Sequence, residues 1–431
     1  MNHLDRIAAS LEGFDPQALS VEQAQRFLAQ LAIPAVVNEH EDVALRDALG
    51  RVLSRDVVSP RSVPPHDNSA MDGFAFDGAM LASASIPCAL TIVGTALAGA
   101  AWQGDVAPGH AVKIMTGAVM PRGLDTVVPQ ELCTIDGATV RFAADAVRRG
   151  DNRRLAGEDL RQGDAALRQG DRLGPAALGL LASLGLAHAP VWRRLRVAYF
   201  STGNEILCDG EAPREGAVYD SNRFTVHGLL SRLGCEVIDI GCVRDEPAAL
   251  EAALQRAASE ADAIVTSGGV SVGEADHTRA VMRRVGDIAF WQVAMRPGRP
   301  MAVGLLPGSG RQTVLFGLPG NPVAVMVSFL VFVRPALLRM MGCNAAHAAP
   351  APLMRARSVA PIRKKAGRTE YLRGFVTPVP GALPQVKLAG NQGSGVLSSM
   401  VQANGLVVLH HAQGAVEAGA EVDVMLFDCA M

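Results

Sequence analysis

Two polar segments that follow apolar runs carry groups suited to binding a phosphate and a metal ion. The run 267–273, Ser-Gly-Gly-Val-Ser-Val-Gly, follows a predicted strand, and adjacent glycines at a strand end can turn backbone N–H groups towards an anion. Asp276 follows at the predicted start of a helix, where it is either an N-cap or a ligand of Mg²⁺, which prefers oxygen atoms. The glycines are not followed by Gly-Lys-Ser/Thr, which excludes a Walker loop.

The second segment is the run 201–205, Ser-Thr-Gly-Asn-Glu, which also follows a predicted strand. Gly203 allows the backbone to approach a ligand closely, and Glu205 is expected to point into the same crevice. The alternative is a plain turn between a strand and a loop.

Arginines beside tight turns are the candidates for binding an oxyanion. Arg296 and Arg299 flank a Pro-Gly turn that ends at Pro300, and arginine pairs oxyanions through parallel hydrogen bonds. Arg368 and Ser394 lie beside glycines further along the chain. Each of these motifs is also compatible with an ordinary solvated turn.

The polar loop 64–73, Pro-Pro-His-Asp-Asn-Ser-Ala-Met-Asp-Gly, contains one more candidate, Asp72. An Asx-rich turn, in which Asp and Asn side chains bond their own backbone, is the simpler interpretation. Because loops carry function more often than cores do, Asp72 remains a candidate.

The elements that must position these groups alternate between strand and helix in residues 193–342. This alternation predicts a parallel, doubly wound sheet, in which ligands bind at the carboxyl ends of the strands. The predicted strands are Leu195–Phe200, Glu236–Val243, Ala263–Thr266 and Val314–Gly317. The predicted helices are Ser221–Leu233 with Asp220 before it, Pro247–Ala258, His277–Val285 and one from Asn321 through Val333.

The rest of the chain predicts three further units, so the fold class is a multidomain α/β protein. Residues 1–60 and 151–192 are predicted to form one discontinuous helical domain, with a Ser20–Gln23 capping box and a second short helix near Val43–Leu53. Residues 61–150 are rich in short β-like runs, and residues 350–431 predict a small all-β domain.

Composition excludes several functional classes. The net charge is −2 and aromatic residues are 4%, which argues against nucleic-acid binding. The seven cysteines are scattered and predict reduced thiols in a cytoplasmic protein. The N-terminus lacks a signal-like apolar stretch, and the apolar run 323–333 is about half the length of a membrane span, so no membrane segment is expected.

Taken together, the motifs resemble one family, the MoeA family of molybdopterin molybdenumtransferases, which includes the C-terminal domain of gephyrin. The matching strings occur in family order across residues 60–409: PPHDNSAMDGFA, KIMTGAVMP, RRLAGEDL, STGNEI, YDSNR, TSGGVSVGEAD, MRPGRP, GLPGNPV, GRTEYLRG and GSGVLSSMVQANGL.

The resemblance implies a four-part fold with a C-terminal β-barrel, and an elongated homodimer whose active site is shared between subunits. It also implies an enzyme that uses Mg²⁺ to cleave adenylylated molybdopterin, releases AMP, and inserts molybdate. By motif, the family's functional positions fall on Asp72, Thr116, Asp159, Glu205, Asp245 and Asp276, with Glu205 and Asp276 holding the metal. The substrate-binding and anion-binding positions are Ser201, Thr202, Gly203, Asp220, Ser221, Asn222, Ser267, Gly268, Gly269, Ser271, Arg296, Arg299, Pro300, Arg368 and Ser394.

Two other functions stay open at this level. The α/β domain also resembles molybdopterin adenylyltransferase, and gephyrin shows that a non-catalytic scaffold is a third possibility. The resemblance further implies an adenylyltransferase and apo-molybdoenzymes as partners. The chain departs from its relatives at Gln292 and Ala324, where a basic residue and a serine are common.

Overall fold

The computed structural model describes residues 2–83, 87–208, 210–269 and 276–431, with the backbone alone at Ser83, Asp276 and His277. A six-stranded sheet forms its centre. In spatial order the strands are Glu236–Val243, Arg196–Thr202, Ala263–Ser267, Gln312–Leu318, Pro300–Pro307 and Asp287–Gln292. The first four run parallel and the last two are added antiparallel, so the predicted parallel sheet is confirmed and extended.

Helices cover both faces of this sheet, which confirms the doubly wound fold. Ser221–Leu233 and Pro322–Met340 pack on one face, and Pro247–Glu260 and Asp276–Val285 pack on the other. The first of these helices ends at Gly234, whose φ of 97° is the left-handed conformation that glycine adopts without strain.

The helix Pro322–Met340 is longer than predicted. Residues 329–333 form a π-helical turn directly before Arg334 and Pro335, and a wide turn of this kind accommodates a proline that cannot donate to the preceding turn. In length and composition this 19-residue helix could span a membrane, but 78% of its apolar window is buried inside the protein. It is therefore a core helix.

Two strands of the central sheet were not predicted from the sequence. Asp287–Gln292 and Pro300–Pro307 flank the turn that carries Arg296 and Arg299, so Pro300 begins a strand and does not simply close a turn. Proline is tolerated at the first position of a strand but is otherwise rare in strands, so the sequence favoured a turn at this position.

The N-terminal helices His3–Ser10 and Val21–Leu31 pack against the core of the α/β layer. The predicted capping box between Ser20 and Gln23 is present. Phe27 contacts the ring of Trp291 edge-on with 4.8 Å between ring centroids, and the backbone of Leu19 bonds to Gln292. The first helices thus cover the edge strand of the central sheet.

The short helix predicted near Val43–Leu53 is wrong. Residues His40–Ala44 form a strand that pairs antiparallel with His188–Trp192, followed by a single 3₁₀ turn at Leu45–Asp47. Apolar residues recur from Val43 to Leu53 at a spacing compatible with a helix, but Val43, Ala44, Val52 and Leu53 pair instead with residues 172–191. A partner far along the chain therefore decides the structure here. Helix Pro175–Ser183 and the paired strands Val57–Val58 and Ala165–Leu167 complete this unit.

The discontinuous unit consists of two segments of the chain, and the residues between these segments form a six-stranded mixed sheet. This sheet has its own apolar core of Phe74, Phe76 and Phe142. In spatial order its strands are Thr126–Pro129, Gly73–Phe76, His110–Ile114, Cys88–Ala96, Thr139–Phe142 and Thr134–Asp136. The short strands Asn68–Ser69 and Arg153–Arg154 pair with each other and connect the sheet to the discontinuous unit. Single 3₁₀ turns lie at Ile33–Ala35, Gly78–Ser83 and Gln130–Leu132.

The C-terminal residues form a closed five-stranded barrel. Its strands are Leu353–Ser358, Thr369–Thr377, Gln385–Leu388, Gly405–Leu409 and Glu421–Leu426. Met295–Arg296 pairs with Thr369–Thr377 at the side of the barrel, so the arginine turn is positioned by both the α/β layer and the barrel. Short helices at Ser398–Gln402 and Phe427–Ala430 complete the domain.

Candidate functional site

A cleft of about 510 Å³ opens at the carboxyl ends of the parallel strands, where the fold predicts a ligand site. Its volume lies within the usual range for small-molecule sites. The lining residues are Thr202, Glu205, Ile206, Val218, Tyr219, Asp220, Ser221, Asn222, Ser267, Gly268, Gly320, Asn321, Pro322 and Gly395. Six of the predicted substrate-binding residues therefore meet at one place: Thr202, Asp220, Ser221, Asn222, Ser267 and Gly268.

A buried polar network supports the floor of this cleft. Ser201 donates from Oγ to the carboxylate of Asp220, which also accepts from the backbone N–H of Arg223 at 3.0 Å and caps the helix that begins there. The hydroxyls of Tyr199 and Ser267 lie 2.6 Å apart. Asp220 is thus occupied by bonds within the protein, which orders the strand ends around the cleft.

Glycine is required at two positions beside the floor. At Gly268, with φ of 92°, a Cβ atom would lie 2.2 Å from the carbonyl oxygen of Thr202. At Gly269, with φ of 68°, it would lie 2.8 Å from the side chain of Thr278. Glycine is therefore needed for this turn to pack against Thr202 and Thr278, and Gly268 also lines the cleft.

Two polar atoms at the cleft are buried without a hydrogen-bond partner among the described residues: Thr202 Oγ1 and Asn222 Oδ1. Both side chains are more than nine-tenths buried and both line the cleft. Orphaned buried polar atoms are costly, so these two atoms indicate a ligand that completes their bonding.

The acidic residues assigned to the metal are only partly described. Glu205 lines the cleft and is exposed, and Asp276 begins its helix as predicted, with its side chain not described. Ser271 lies outside the described residues. Asp245 accepts from Thr278 Oγ1 at 2.9 Å, which places it beside the glycine turn. No group of three potential ligands comes together in the part of the chain that the structure describes, so the metal site stays a prediction.

Asp72 and Thr116 meet in the mixed sheet, although 44 residues separate them. The Asp72 carboxylate accepts from both the backbone N–H and the hydroxyl of Thr116 at 2.7 Å. These bonds, the backbone one first, lower the pKa of Asp72 and keep it ionised. Asp159 lies in the chain segment that follows this sheet, where its backbone N–H donates to the carbonyl of Val63.

Two of the arginines predicted to form the oxyanion pocket line one cavity. Arg299 and Arg368 line a cavity of about 290 Å³ together with Gln292. Arg368 Nε lies 2.8 Å from a carboxylate oxygen of Glu370, which is almost fully buried. One arginine of the predicted pocket, Arg368, is therefore already paired with a carboxylate.

Ser394 lies at the main cleft instead. Its carbonyl accepts from the N–H of Val323 in the first turn of the core helix, and its neighbour Gly395 lines the cleft. Close by, the guanidinium of Arg373 donates to the carbonyl of Gly393 at 2.9 Å and is fully buried. The pocket predicted from Arg296, Arg299, Arg368 and Ser394 stays a prediction.

Arg373 is a candidate that the sequence search missed. Burial, and then the charge of Arg296, lower the pKa of its guanidinium. Neither forms an ion pair with a carboxylate within the described ranges. The sequence feature that could have identified Arg373 is an arginine within a mostly apolar strand. A buried charge of this kind requires either a partner or a function.

The domains described above match those of known proteins. Family models match residues 19–185 as the MoeA N-terminal region (domain I and II), 198–339 as a probable molybdopterin binding domain, and 355–427 as the MoeA C-terminal region (domain IV). The molybdopterin biosynthesis moeA protein from Pyrococcus horikoshii OT3 superposes with a TM-score of 0.78 at 26% identity, covering 95% of this chain and all of that one.

Curated relatives align over nearly the full length. A molybdopterin molybdenumtransferase from Haemophilus influenzae is 39% identical over 412 residues, covering 95% of this chain and 99% of the relative. One from Bacillus subtilis is 32% identical over 394 residues, covering 90% of both. The chain therefore belongs to the MoeA family of molybdopterin molybdenumtransferases and is a transferase of molybdenum cofactor biosynthesis.

Proposed function

We propose that this chain inserts molybdate into adenylylated molybdopterin with Mg²⁺-dependent release of AMP. The observation that carries the proposal is the cleft at the strand ends, where an apolar wall faces a polar floor of glycines, orphaned polar atoms and a helix N-terminus. This combination suits a ligand that carries both ring systems and phosphates.

The phosphates of the substrate are proposed to lie at the glycine turn. Gly268 lines the cleft at this turn, and Ser221 and Asn222, the first two residues of the helix that begins there, line it as well. Asp220 accepts from the Ser201 hydroxyl and from the backbone N–H of Arg223, so its carboxylate oxygens already have hydrogen-bond donors within the protein.

Mg²⁺ is proposed to bind between the phosphates and the carboxylates of Glu205 and Asp276, with Asp245 close to them. Glu205 is exposed at the cleft and has the oxygen atoms that a hard cation prefers. Mg²⁺ keeps several waters and takes few protein ligands, so two carboxylates and substrate oxygens suffice. The metal would neutralise charge that develops on the phosphates as the link to AMP breaks.

Molybdate is proposed to bind near Arg296 and Arg373 at the end of the cleft, with Ser394 beside them. Two adjacent cations repel one another, and this cost is recovered when a dianion lies between them. Arg299, Pro300 and Arg368 form the second candidate place, but Glu370 already pairs with Arg368 there.

The active site is proposed to be shared across a homodimer. Among the described residues, the cleft is lined only by the α/β domain and the loop at Gly395, and none of the lining comes from the sheet that carries Asp72. Asp72 and Thr116 can therefore serve the cleft only if another surface brings them to it, and a two-fold dimer offers each cleft the partner's sheet.

A purified assay tests the proposal directly. Adenylylated molybdopterin, molybdate and Mg²⁺ should yield AMP and molybdenum cofactor, and excess EDTA should stop both until Mg²⁺ is restored. Synthesis of the adenylate from ATP would instead identify an adenylyltransferase. Absence of any turnover with intact substrate binding would favour a scaffold.

The cellular context is also proposed. The substrate requires an adenylyltransferase to supply it, and the product requires apo-molybdoenzymes to receive it. A cytoplasmic location is supported by the seven cysteines, which are all free thiols in the structure.

A further inference from the structure

A cavity of about 550 Å³ lies at the edge of the central sheet opposite to the main cleft. Arg194 and Gly234 line it, just before the amino ends of the parallel strands Arg196–Thr202 and Glu236–Val243. Its walls come from residues 49–50, residues 172–174 and the end of the helix that follows Asp220. None of its lining residues lines the cleft, so the cavity is a separate place on the molecule.

The charged side chains that line this cavity are all basic: Arg172, Arg194, Arg232 and His347. In the whole chain Asp and Glu outnumber Lys and Arg, 42 against 40, so composition does not account for this local excess. Within the described parts of the chain, Arg172 and Arg194 donate only to carbonyls, and the side chain of Arg232 forms no hydrogen bond or ion pair. The cavity therefore concentrates positive charge without a carboxylate in its lining.

The end of the helix holds two of these guanidinium groups in place. Arg172 donates from Nη2 to the carbonyl of Leu233 at 2.9 Å and from Nε to the carbonyl of Gly50 at 3.3 Å. Arg194 donates from Nη1 to the carbonyl of Gly234 at 2.9 Å. Because the two helix carbonyls are consecutive along the backbone, both cations are fixed at one helix end. A guanidinium has five N–H donors, so donors remain for a ligand after these bonds are made.

Capping of the helix accounts for only part of this arrangement. Arginines bond the last carbonyls of helices and interact favourably with the negative end of the helix dipole. That end is equivalent to about half an elementary charge, which offsets a minor part of the charge of three guanidinium groups. The carboxylate of Asp171 accepts instead from the amide of Asn344 and the backbone N–H of Arg168, each at 2.8 Å. Most of the positive charge therefore remains available to a ligand.

We propose that this cavity is a second anion site, at which Arg172, Arg194 and Arg232 bind the phosphate groups of a small molecule. Arginine matches phosphate oxygens through parallel hydrogen bonds, and the cavity volume lies within the range of small-molecule sites. Leu49, which is 55% exposed, supplies an apolar wall for the rest of the ligand. The inference goes beyond the proposed function, because the reaction proposed at the cleft uses none of these residues.

Calorimetric titration of the full chain with inorganic pyrophosphate tests the site. Wild type should bind pyrophosphate about tenfold more tightly than inorganic phosphate, because the second phosphate group reaches a further arginine. Raising the ionic strength should weaken this binding, since Arg194 and Arg232 are exposed and their charges are screened by salt. Pyrophosphate can also bind at the glycine turn of the cleft, so variants must identify the part that belongs to this cavity.

Variants of the arginines then locate the binding. Arg232→Ala should weaken pyrophosphate binding about tenfold, because one charged donor is lost, and it removes no hydrogen bond found within the described chain. Combining Arg172→Ala with Arg194→Ala should abolish binding at this site, with thermal melts to verify folding. Arg357→Ala is the matched control, because this exposed arginine on a barrel strand lies outside the cavity and its loss changes the net charge equally. It should leave the affinity unchanged.

Three results would overturn the inference. The first is that Arg232→Ala binds pyrophosphate as tightly as wild type and Arg357→Ala do. The second is that Arg232→Ala leaves pyrophosphate binding intact but weakens self-association in sedimentation, which would place the cavity in an interface with a second copy. The third is that a polyglutamate peptide binds in an Arg232-dependent way while pyrophosphate does not, which would identify the surface of an acidic protein as the ligand.

Discussion

Asp72 and Thr116 are joined by two hydrogen bonds of 2.7 Å, one from the backbone N–H and one from the hydroxyl of the threonine. Asp72 directly precedes the strand Gly73–Phe76, and Thr116 follows the strand His110–Ile114. These two strands pair antiparallel in the mixed sheet, which brings the two residues to one edge. The carboxylate is held in place and ionised before any substrate arrives.

Replacing Thr116 should change the titration of Asp72. We expect Thr116→Val to raise the pKa of Asp72 towards its ordinary value, because one of two bonds to the carboxylate is lost, while Thr116→Ser should leave it lowered. Carboxyl ¹³C chemical shifts recorded against pH measure this. The backbone bond is the larger cause and remains in both variants, so the rise in Thr116→Val should be partial.

The same pair predicts a pH dependence of stability. Because the folded pKa of Asp72 lies below its unfolded value, its contribution is present above the unfolded pKa and is lost as pH falls through the folded pKa. Asp72→Asn should therefore unfold with a shallower acid dependence than wild type in that acidic window, measured by thermal melts. Parallel acid profiles of the two proteins would contradict this.

Mixing two inactive variants tests the shared site. Asp72→Asn and Glu205→Gln should each be inactive, but refolding them together in equal amounts should give about half heterodimers, each with one intact site of two. Activity should return to roughly a quarter of wild type if the sites act independently. A mixture that stays inactive, with dimers verified by mass, would show that both residues serve one chain.

Substitution at the two arginine clusters should locate molybdate. Ser394→Ala and Arg296→Ala are expected to raise the molybdate KM, by about tenfold or more for the lost charge, because hydrogen bonds to charged groups contribute about 1.5–3 kcal/mol. Arg368→Ala should raise it less, since Glu370 already pairs with that arginine. AMP affinity should remain unchanged in all three. The reverse order of effects would move molybdate to the cavity of Arg299.

A buried ion pair should dominate the stability of the α/β layer. Asp262 is 1% exposed and accepts from Arg193 at 2.7 and 3.1 Å. Arg311 also pairs with Asp262, and the backbone N–H of Arg196 donates to it. Arg193→Met therefore removes only part of the bonding of this buried carboxylate, and we expect a loss of about 1.5–3 kcal/mol in the free energy of urea unfolding. Glu236→Gln removes the exposed pair with Arg196 and should cost less than about 1 kcal/mol. Comparable losses in both variants would refute the assignment.

The sequence by itself determined the elements whose signals are local. The capping box at Ser20, the glycine at 234 and the small residues after each parallel strand all act within a few residues, so the alternating fold and its ligand-binding edge were predictable. The motifs, read in order, also predicted the family to which the chain belongs.

Only the tertiary structure decided features that depend on distant partners. His40–Ala44 is a strand because His188–Trp192 lies beside it, and Pro300 begins a strand because the sheet extends to meet it. Strand pairing and barrel closure are long-range contacts, and no local pattern encodes which segment will supply the partner.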